Sequence, residues 1–270
     1  MNNNVNPVLA FFIIITAIAI LSFKYWARDQ LVSVRGPAQM QSDPYGILYI
    51  NIRDTLYKLS PDMRLLGEYR LEDYGVYDLV GDFGVFSNGD LLLRRGHFDP
   101  SLLDNVMAFL RISDLKSPAQ PVDEGLYRCD MLTKHCQVFG DRLRDFDSAF
   151  RVVIDWSNDD VYLADTPYHN IYKFDAQGRE LARKEQGFKF PNQIRLIDGD
   201  LYVVDTNHHL VQQIRSETEH FAGILRSFPV TGRKIPGGRF PYSFARVGDH
   251  WWVNNMDIYG RPIIVNKRRP

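Results

Sequence analysis

Residues 150–174 have the sequence FRVVIDWSNDDVYLADTPYHNIYKF, and residues 190–214 have the sequence FPNQIRLIDGDLYVVDTNHHLVQQI. The two stretches align without a gap at an offset of 40 residues, and the alignment extends to residues 181 and 221. Self-similarity at a fixed period of this length is typical of an array of equivalent structural units. The residues that both copies share are Phe150 and Phe190, Tyr162 and Tyr202, Asp165 and Asp205, Thr166 and Thr206, and His169 and His209.

Further copies of the unit lie on both sides of this pair. RFPYSFARVGDHWWVNN, at residues 239–255, aligns at an offset of 50 with the stretch that ends at Asp205, and we take Asn254 as the counterpart of that aspartate. Two weaker copies come earlier in the chain: GVFSNGDLLLRR at residues 84–95 and GILYINIRDTLYKL at residues 46–59. The sequence therefore contains five recognisable units.

The composition of each unit predicts its secondary structure. Short runs rich in Val, Ile, Leu and Tyr alternate with Asp-Gly, Asn-Gly and Asn-Asp turns. Such runs predict three or four short antiparallel strands in each unit. Strand-rich units with a period near 40 residues are typical of propeller blades. We therefore predict an all-β protein, a β-propeller with five recognisable blades and room for a sixth.

The two cysteines of the chain occupy one repeated pair of positions. In three units, an apolar residue that ends one strand is followed seven residues later by another, and a four-residue hairpin loop places such a pair face to face. In the remaining unit these positions hold Cys129 and Cys136. We predict a cross-strand disulfide between them, with a pair of small buried hydrophobic residues as the alternative. The apolar pairs are Leu59 and Leu66, Phe174 and Leu181, and Ile214 and Phe221.

The repeats resemble a known family. VYLADTPYHNIYKFDAQGREL and LYVVDTNHHLVQQI are similar to NHL repeats, because the Asp-Thr pair, the following His and the apolar strand occur in the family's order. The resemblance is good over residues 150–221, fair to residue 265 and weak before residue 140. It implies a propeller of five or six blades. Its repeat-signature residues here are Asp165, Thr166, His169, Asp205, Thr206 and His209.

A second resemblance is to gluconolactonase-like and strictosidine-synthase-like propellers, some of which hold a divalent cation at the mouth of the central channel. FPNQIRLIDGDLYVVDT is similar to that family's Pro-Asn-Gly start of an inner strand followed by an aspartate at the end of the next, with Gln193 in place of the glycine. No clear equivalent of the family's early glutamate ligand is present. Oxygen ligands of this kind suit calcium. The ligands that the resemblance implies are Asp82, Asn192, Asp205 and Asn254.

The N-terminal region contains a long apolar run. From Pro7 to Phe23 the sequence PVLAFFIIITAIAILSF has 17 residues and no charge, which is near the lower limit for a transmembrane helix. A basic start and a small-residue cleavage site, the marks of a cleaved signal peptide, are missing. We therefore predict an uncleaved membrane anchor over residues 1–28, a tether over residues 29–45 and the propeller over residues 46–270.

Two segments depart from the repeat pattern. Residues 96–124 fit no blade, and Asp99-Pro100 followed by apolar residues at helical spacing predicts a helix that ends near Ile112. This helical insertion either covers the rim of a blade or serves as a lid or docking element. The last unit stops after its third strand, and we expect residues 31–35, LVSVR, to supply the fourth strand and close the ring.

Two signals for the location of the propeller disagree. Lys24, Arg28 and Arg35 follow the apolar run and no basic residue precedes it, which by the positive-inside rule places the propeller in the cytoplasm. A disulfide instead requires an oxidising compartment. We follow the cysteine positions and predict a single-pass membrane protein whose propeller is extracytoplasmic, as in a periplasm.

Composition and motifs argue against nucleic-acid binding and against several common types of enzyme. The formal net charge is -1, so no basic excess is available for nucleic acid. The seven histidines form no zinc motif, and neither a G-x-S-x-G elbow nor a phosphate-binding loop occurs. Aromatic residues in or beside inner-strand positions are expected to pack between blades or, at the channel mouth, to form a binding surface. They are Tyr168, Phe190, Tyr242, Trp251 and Trp252.

We therefore predict a membrane-tethered, non-catalytic binding or scaffold module for a protein partner or an extracytoplasmic ligand, with a small molecule as a further candidate ligand. This interpretation requires no cofactor. The alternative is a calcium-dependent lactonase or esterase-like hydrolase, in which the cation polarises a carbonyl group and activates water.

Overall fold

The computed structural model describes residues 16, 19, 22, 39–52, 54–77, 81–95, 124–140, 150–216, 220–229, 240–247, 250–256 and 262–268. Within these residues, no helix is long and apolar enough to cross a membrane. Three predictions fall wholly or almost wholly outside them: the transmembrane helix from Pro7 to Phe23, the helical insertion at 96–124 and the closing strand at 31–35.

The described residues form five antiparallel sheets, which we call blades 1 to 5 in chain order. Blades 1 to 4 have four strands, and blade 5 has three; in every blade the strands pair in the order in which they occur in the chain. Blade 1 consists of β1 (Gln39–Ser42), β2 (Leu48–Ile52), β3 (Thr55–Leu59) and β4 (Leu65–Arg70), and blade 2 of β5 (Gly84–Val85), β6 (Leu91–Arg95), β7 (Gly125–Cys129) and β8 (Cys136–Phe139).

The three remaining blades contain the repeats that the sequence shows best. Blade 3 consists of β9 (Phe150–Asp155), β10 (Asp160–Asp165), β11 (Asn170–Phe174) and β12 (Glu180–Lys184). Blade 4 consists of β13 (Pro191–Ile197), β14 (Asp200–Asp205), β15 (Leu210–Ser216) and β16 (Phe221–Pro229), and blade 5 of β17 (Phe240–Val247), β18 (His250–Met256) and β19 (Pro262–Arg268). Short 3₁₀ turns occupy Leu71–Tyr74 and Thr206–His208.

Blades 2, 3 and 4 bury both faces of their sheets against their neighbours, as strand β10 shows. All six residues of β10 are buried. Val161 and Leu163 belong to an apolar cluster shared with blade 2, whereas Tyr162 and Ala164 belong to a cluster shared with blade 4. Successive side chains of a strand point to opposite faces, so this division follows from the strand period of two residues. Four such clusters lie between consecutive blades from the first to the fifth.

Inner strands of blades that are not neighbours also touch, which places them around a common axis. The side-chain amide of Gln41 in blade 1 donates to the carbonyl oxygen of Val152 in blade 3 at 3.3 Å. The guanidinium of Arg151 in blade 3 donates to the hydroxyl of Tyr242 in blade 5 at 3.3 Å. The first strand of each blade is therefore the innermost, and polar side chains fill the narrow axis. The predicted all-β propeller is confirmed.

Blade 1 begins earlier than predicted. Gln39–Ser42 lies within the predicted tether of residues 29–45, but it pairs with β2 in continuous register, from Gln39 opposite Asn51 to Ser42 opposite Leu48. These four residues are therefore the innermost strand of blade 1 rather than part of a linker, because the sheet needs a fourth strand to reach the axis.

The cysteines form the predicted cross-strand disulfide. Cys129 and Cys136 lie directly opposite each other in the β7–β8 pair, with their Cα atoms 4.0 Å apart. Cys129 is fully buried and packs in the cluster between blades 1 and 2. The prediction that the apolar pairs face each other in the same way is wrong, because a β-bulge shifts the register in each case. Leu59 pairs with Leu65, Phe174 with Glu180, and Ile214 with Ile224.

We expect reduction of the disulfide to lower the free energy of unfolding by about 2.5 kcal/mol, because the cross-link removes chain entropy from the unfolded state. Urea unfolding with and without a reductant measures this difference. The matched control is the double variant Cys129→Ala, Cys136→Ala, whose unfolding should not respond to the reductant. An equal response of the control and the natural chain would contradict the prediction.

Candidate functional site

The repeat-signature residues converge on one end of the propeller, which we call the loop face. It is formed where the second strand of each blade turns into the third, at residues 166–169 in blade 3 and residues 206–209 in blade 4. Asp165 lies opposite Asn170 in blade 3, and Asp205 lies opposite Leu210 in blade 4, so the two aspartates hold equivalent positions at an offset of 40 residues.

The signature threonines connect neighbouring blades. The Thr166 hydroxyl donates to the carbonyl oxygen of Pro191 at 2.7 Å, and the Thr206 hydroxyl donates to that of Pro241, also at 2.7 Å. Each threonine thus bonds the end of a second strand to the start of the next blade's inner strand. Asn192 adds to one of these contacts, because its side-chain amide donates to the Thr206 hydroxyl at 2.7 Å.

The signature histidines also contact the next blade along the chain. His169 and His209 both adopt left-handed backbone conformations, with φ of 65° and 61°. The Nδ1 atom of His169 accepts the backbone N–H of Phe190 at 3.0 Å, which ties the turn of blade 3 to the start of blade 4. The ring of His209 lies 5.1 Å from that of Phe240, measured between ring centres, at the start of blade 5.

Asp205 is the most heavily hydrogen-bonded carboxylate of the loop face. It is fully buried and accepts the backbone N–H of Lys189 at 2.7 Å. It also contacts Nδ1 of His208 at 2.7 Å and accepts the side-chain amide of Gln212. The contact through Nδ1 leaves Nε2 as the second ring nitrogen of His208, whose side chain is 44% exposed. Asp205 therefore holds the loop at Lys189 in place and orients an exposed imidazole.

Asp165 occupies the same position with far fewer partners. Its carboxylate accepts the backbone N–H of Tyr168 at 3.3 Å, and the repeat places Tyr168 and Tyr172 where blade 4 has His208 and Gln212. Burial raises the pKa of Asp165 to about 6, and the Tyr168 amide and His169 offset this only in part. Hydrogen bonds and nearby positive charge thus do little to stabilise the ionised form of the Asp165 carboxylate.

The predicted ligand Asn254 does not share the register of Asp205. Pro191 lies opposite Asp205 in blade 4, and Pro241 lies opposite Asn255 in blade 5, whereas Asn254 lies opposite Ser243. The counterpart of Asp205 is therefore Asn255. The difference matters because a shift of one residue moves a side chain to the other face of its sheet.

Asp82, the remaining predicted ligand, lies beside the axis. One of its oxygens accepts the backbone N–H of Phe83 at 2.9 Å, and the other accepts that of Val152 in blade 3 at 3.4 Å. Burial raises the pKa of Asp82, while the charge of Arg151, these two amides and Gln41 lower it in part. Asp82 is thus surrounded by hydrogen-bond donors and positive charge.

These contacts fit calcium poorly. Asp205 is occupied by three donors, the Asn192 amide is engaged with Thr206, and Asp82 faces an arginine. Among the residues that the structure describes, no group of three or more His, Cys, Asp or Glu side chains could hold a metal ion. A divalent cation favours several convergent carboxylate or carbonyl oxygens, and the predicted ligands do not supply them.

Two exposed aromatic residues lie on the loop face near Asp165 and Asp205. Tyr168 is 59% exposed and Phe190 is 38% exposed, and Phe190 contacts the ring of His169 edge to face. Lys189 and His208 are exposed beside them. We call Tyr168, Lys189, Phe190 and His208 the loop-face patch.

Sequence reasoning overlooked Gln212, which the structure places against Asp205. The Gln212 side chain is buried and bonds Asp205 and the carbonyl oxygen of Gly187, and its own Oε1 has no hydrogen-bond partner among the described residues. The available signal was a polar residue within the strand that contains the sequence VQQI.

Comparison with known proteins identifies the fold but no family. No family model matches the chain, and no curated protein matches its sequence. Among solved structures, the chain is similar to streptogramin B lyase, with 14% identity, a TM-score of 0.52 and coverage of 87% of this chain and 69% of that one. It is also similar to a chain of a nidogen/laminin complex, with 12% identity, a TM-score of 0.53 and coverage of 86% and 80%.

A third similar structure is that of RRP9 WD40 repeats, with 12% identity, a TM-score of 0.50 and coverage of 86% of this chain and 67% of that one. These neighbours are β-propellers with different functions, so at this level of identity they support the propeller fold and nothing finer. The resemblance to NHL repeats stays a prediction.

We expect Asp165→Asn to stabilise the protein above pH 7 by up to about 3 kcal/mol and to have little effect at pH 4. The raised pKa of Asp165 means that its protonated form is favoured in the folded state, so stability is lost as the pH rises through about 6. Asparagine keeps the oxygen that accepts the Tyr168 amide.

Urea unfolding of both proteins between pH 4 and pH 8 measures the difference. Asp54→Asn, at an exposed aspartate, is the matched control and should change stability little at any pH. A constant difference between Asp165→Asn and the natural chain across this range would refute the prediction.

We further expect calcium at about 10 mM to leave the melting temperature unchanged, because a cation bound only by the folded state would raise it. The measurement compares calcium with magnesium and with a chelator at equal ionic strength. A calcium-specific rise of several degrees that Asp205→Asn abolishes would restore the predicted calcium site.

Proposed function

We propose that this protein is a binding module, held near a membrane surface, that captures a protein partner on the loop face of its propeller. The observation that carries the proposal is the loop-face patch. Tyr168 and Phe190 expose large aromatic surfaces beside the charged Lys189. Aromatic side chains of this kind are the residues that most often dominate the binding energy of protein interfaces.

The rigidity of the loop face supports this role. The backbone around Phe190 is fixed by three contacts: its own N–H donates to His169, its carbonyl oxygen accepts the N–H of Thr206, and the preceding Lys189 donates to Asp205. A surface that is already ordered loses little conformational entropy on binding, which favours affinity.

The disulfide supports the proposed location. Cys129 and Cys136 are bonded, and such bonds persist in oxidising compartments. Together with the apolar run from Pro7 to Phe23, this supports an extracytoplasmic propeller tethered to the membrane. The anchor and the location are proposals.

The alternative remains hydrolysis of lactones or related esters. One feature supports it: the exposed imidazole of His208 is oriented by the buried carboxylate of Asp205, an arrangement that general bases use. The calcium-dependent form of this alternative is weakened by the occupied oxygens of Asp205 and the charge near Asp82. Binding requires no such group and is therefore the function that we favour.

We expect the double variant Tyr168→Ser, Phe190→Asn to weaken partner binding about tenfold or more, because two aromatic anchors are removed from the interface. Asparagine tolerates the left-handed backbone of Phe190, whose φ is 65°, so the fold should persist. The measurement is copurification of the full-length protein from membranes in mild detergent, with quantification of the captured partner.

The matched control is Leu132→Ser, Met63→Asn. Both residues are exposed apolar side chains in turns between third and fourth strands, at the face opposite the loop face, and Met63 has a φ of 63°. If the partner still copurifies with the loop-face variant, or if the control variant loses the partner equally, the loop-face patch is not the binding surface. A pure monomer without a captured protein would exclude the proposed function.

A further inference from the structure

A group of large apolar side chains is exposed at the end of the propeller opposite the loop face. At this end the first strand of each blade turns into the second, and the third turns into the fourth. The exposed fraction is 83% for Leu132, 80% for Tyr45 and 61% for Met63. Single exposed apolar residues are ordinary on a protein surface, whereas a group of them marks an interaction site. We call this group the turn-face patch: Tyr45, Met63, Leu65, Leu66 and Leu132.

Tyr45 and Met63 lie in two turns of blade 1 that touch each other. Gly46 belongs to the first turn and Pro61 to the second. A Cβ atom added to Gly46 would lie 3.3 Å from Cγ of Pro61. The ring of Tyr45 also contacts that of Trp156 in blade 3 edge to face, with 6.4 Å between the ring centres. The two turns of blade 1 therefore form one continuous surface.

Leu132 lies at the same end of the propeller, in blade 2. Its neighbour Met131 packs in the apolar cluster between blades 1 and 2, as does Ile47, which follows the turn of Tyr45. Leu132 and Tyr45 therefore border the same end of one cluster. The corresponding turns of blade 3 have the sequences SND and DAQGR, without a large apolar residue. The apolar surface is thus concentrated on blades 1 and 2.

Hydrogen bonds fix the turns that carry the patch. Asp43 accepts the backbone N–H groups of Tyr45 and Ile47, each at 2.8 Å. Asp130 accepts the backbone N–H of Leu132, also at 2.8 Å. The acidic side chains of these turns are thus engaged with the backbone, and the apolar side chains are held in place. A surface that is already ordered loses little conformational entropy when it is covered.

The length of the chain before β1 keeps the patch within reach of a membrane. Fifteen residues, 24–38, separate the apolar run that ends at Phe23 from Gln39, the first residue of β1. They span at most about 50 Å, whereas a six-residue strand is about 20 Å long. β1 starts at the loop face, because Gln39 lies opposite Asn51 near the end of β2. The chain is therefore long enough to run from a bilayer at the turn-face patch to the start of β1.

A bilayer suits this patch better than a protein partner does. Side chains as exposed as Leu132 and Tyr45 project from the surface, whereas the residues that dominate protein interfaces fill pockets in the partner. Projecting apolar side chains insert readily at the boundary between headgroups and acyl chains, and tyrosine favours this interface.

We propose that the turn-face patch inserts into the surface of a phospholipid bilayer, so that the loop face points away from the membrane. This inference rests on the membrane tether of the proposed function, but not on the partner. The two ends of the propeller then have separate roles, contact with lipid at one and capture of the partner at the other.

The test uses the full-length protein reconstituted into phosphatidylcholine vesicles. Both natural cysteines are in the disulfide, so an introduced cysteine can be labelled alone with a fluorophore. Leu66→Cys places the label in the patch, and Asn207→Cys places it at an exposed position of the loop face. Lipid that carries a nitroxide near its headgroup should quench the first label at least about twofold more strongly, because only the patch lies among the headgroups.

The double variant Leu132→Ser, Met63→Asn, combined with Leu66→Cys, should lower this quenching about twofold, because two inserting side chains are lost. The matched control is Tyr168→Ser, Phe190→Asn, which removes two aromatic side chains from the loop face and should leave the quenching unchanged. If the first double variant does not fold, the comparison of the two labelled positions decides the test alone.

Equal quenching at the two labelled positions would overturn the proposal. An unquenched label at Leu66→Cys whose emission changes with protein concentration would also overturn it, and would show that a second copy of the chain covers the patch. Flotation of the vesicles on a density gradient separates this inference from the proposed function. A chain that does not float refutes the tether and the inference together, whereas a chain that floats without selective quenching refutes the inference alone.

Discussion

The structure depends on the burial of the sheets of blades 2, 3 and 4 on both faces. The side chains of β10 alternate between the cluster shared with blade 2 and the cluster shared with blade 4, so blade 3 has no face of its own to expose. A sheet that is apolar on both sides is stable only between two others. The repeated unit therefore specifies a ring, and the threonine bonds to the prolines of the next blade fix the spacing between units.

The sequence predicts this architecture well where the repeat is strict and less well where the register changes. The alternation of apolar residues and the Asp-Thr pairs locate blades 3 and 4 correctly, since both signals come from local strand geometry. The seven-residue spacing found the disulfide because β7 and β8 pair without an interruption. The same spacing failed for Leu59, Phe174 and Ile214, because β-bulges insert extra residues that a linear spacing cannot reveal.

The candidate site could be predicted only in part, because identical residues acquire different roles in different blades. Asp165 and Asp205 align, yet the first accepts the Tyr168 amide and has a raised pKa, while the second is held by three donors. The difference comes from the side chains three and seven positions later, which are Tyr168 and Tyr172 in one blade and His208 and Gln212 in the other. A signature that marks the aspartates as equivalent therefore predicts where they lie, but not what surrounds them.

The contacts across the axis differ in chemistry from the contacts between neighbouring blades. Contacts between consecutive blades consist of apolar clusters and of the repeated threonine hydrogen bonds. Contacts across the axis join blades that are not neighbours and use polar groups that occur once, such as Gln41, Arg151 and Tyr242. A repeat cannot encode these contacts, because no two inner strands meet the same set of opposing residues. Charges on the axis are thus free to differ from blade to blade without disturbing the interfaces that hold the ring together. This independence explains how polar groups such as Gln41 and Arg151 can meet across the axis while the apolar interfaces between blades stay intact.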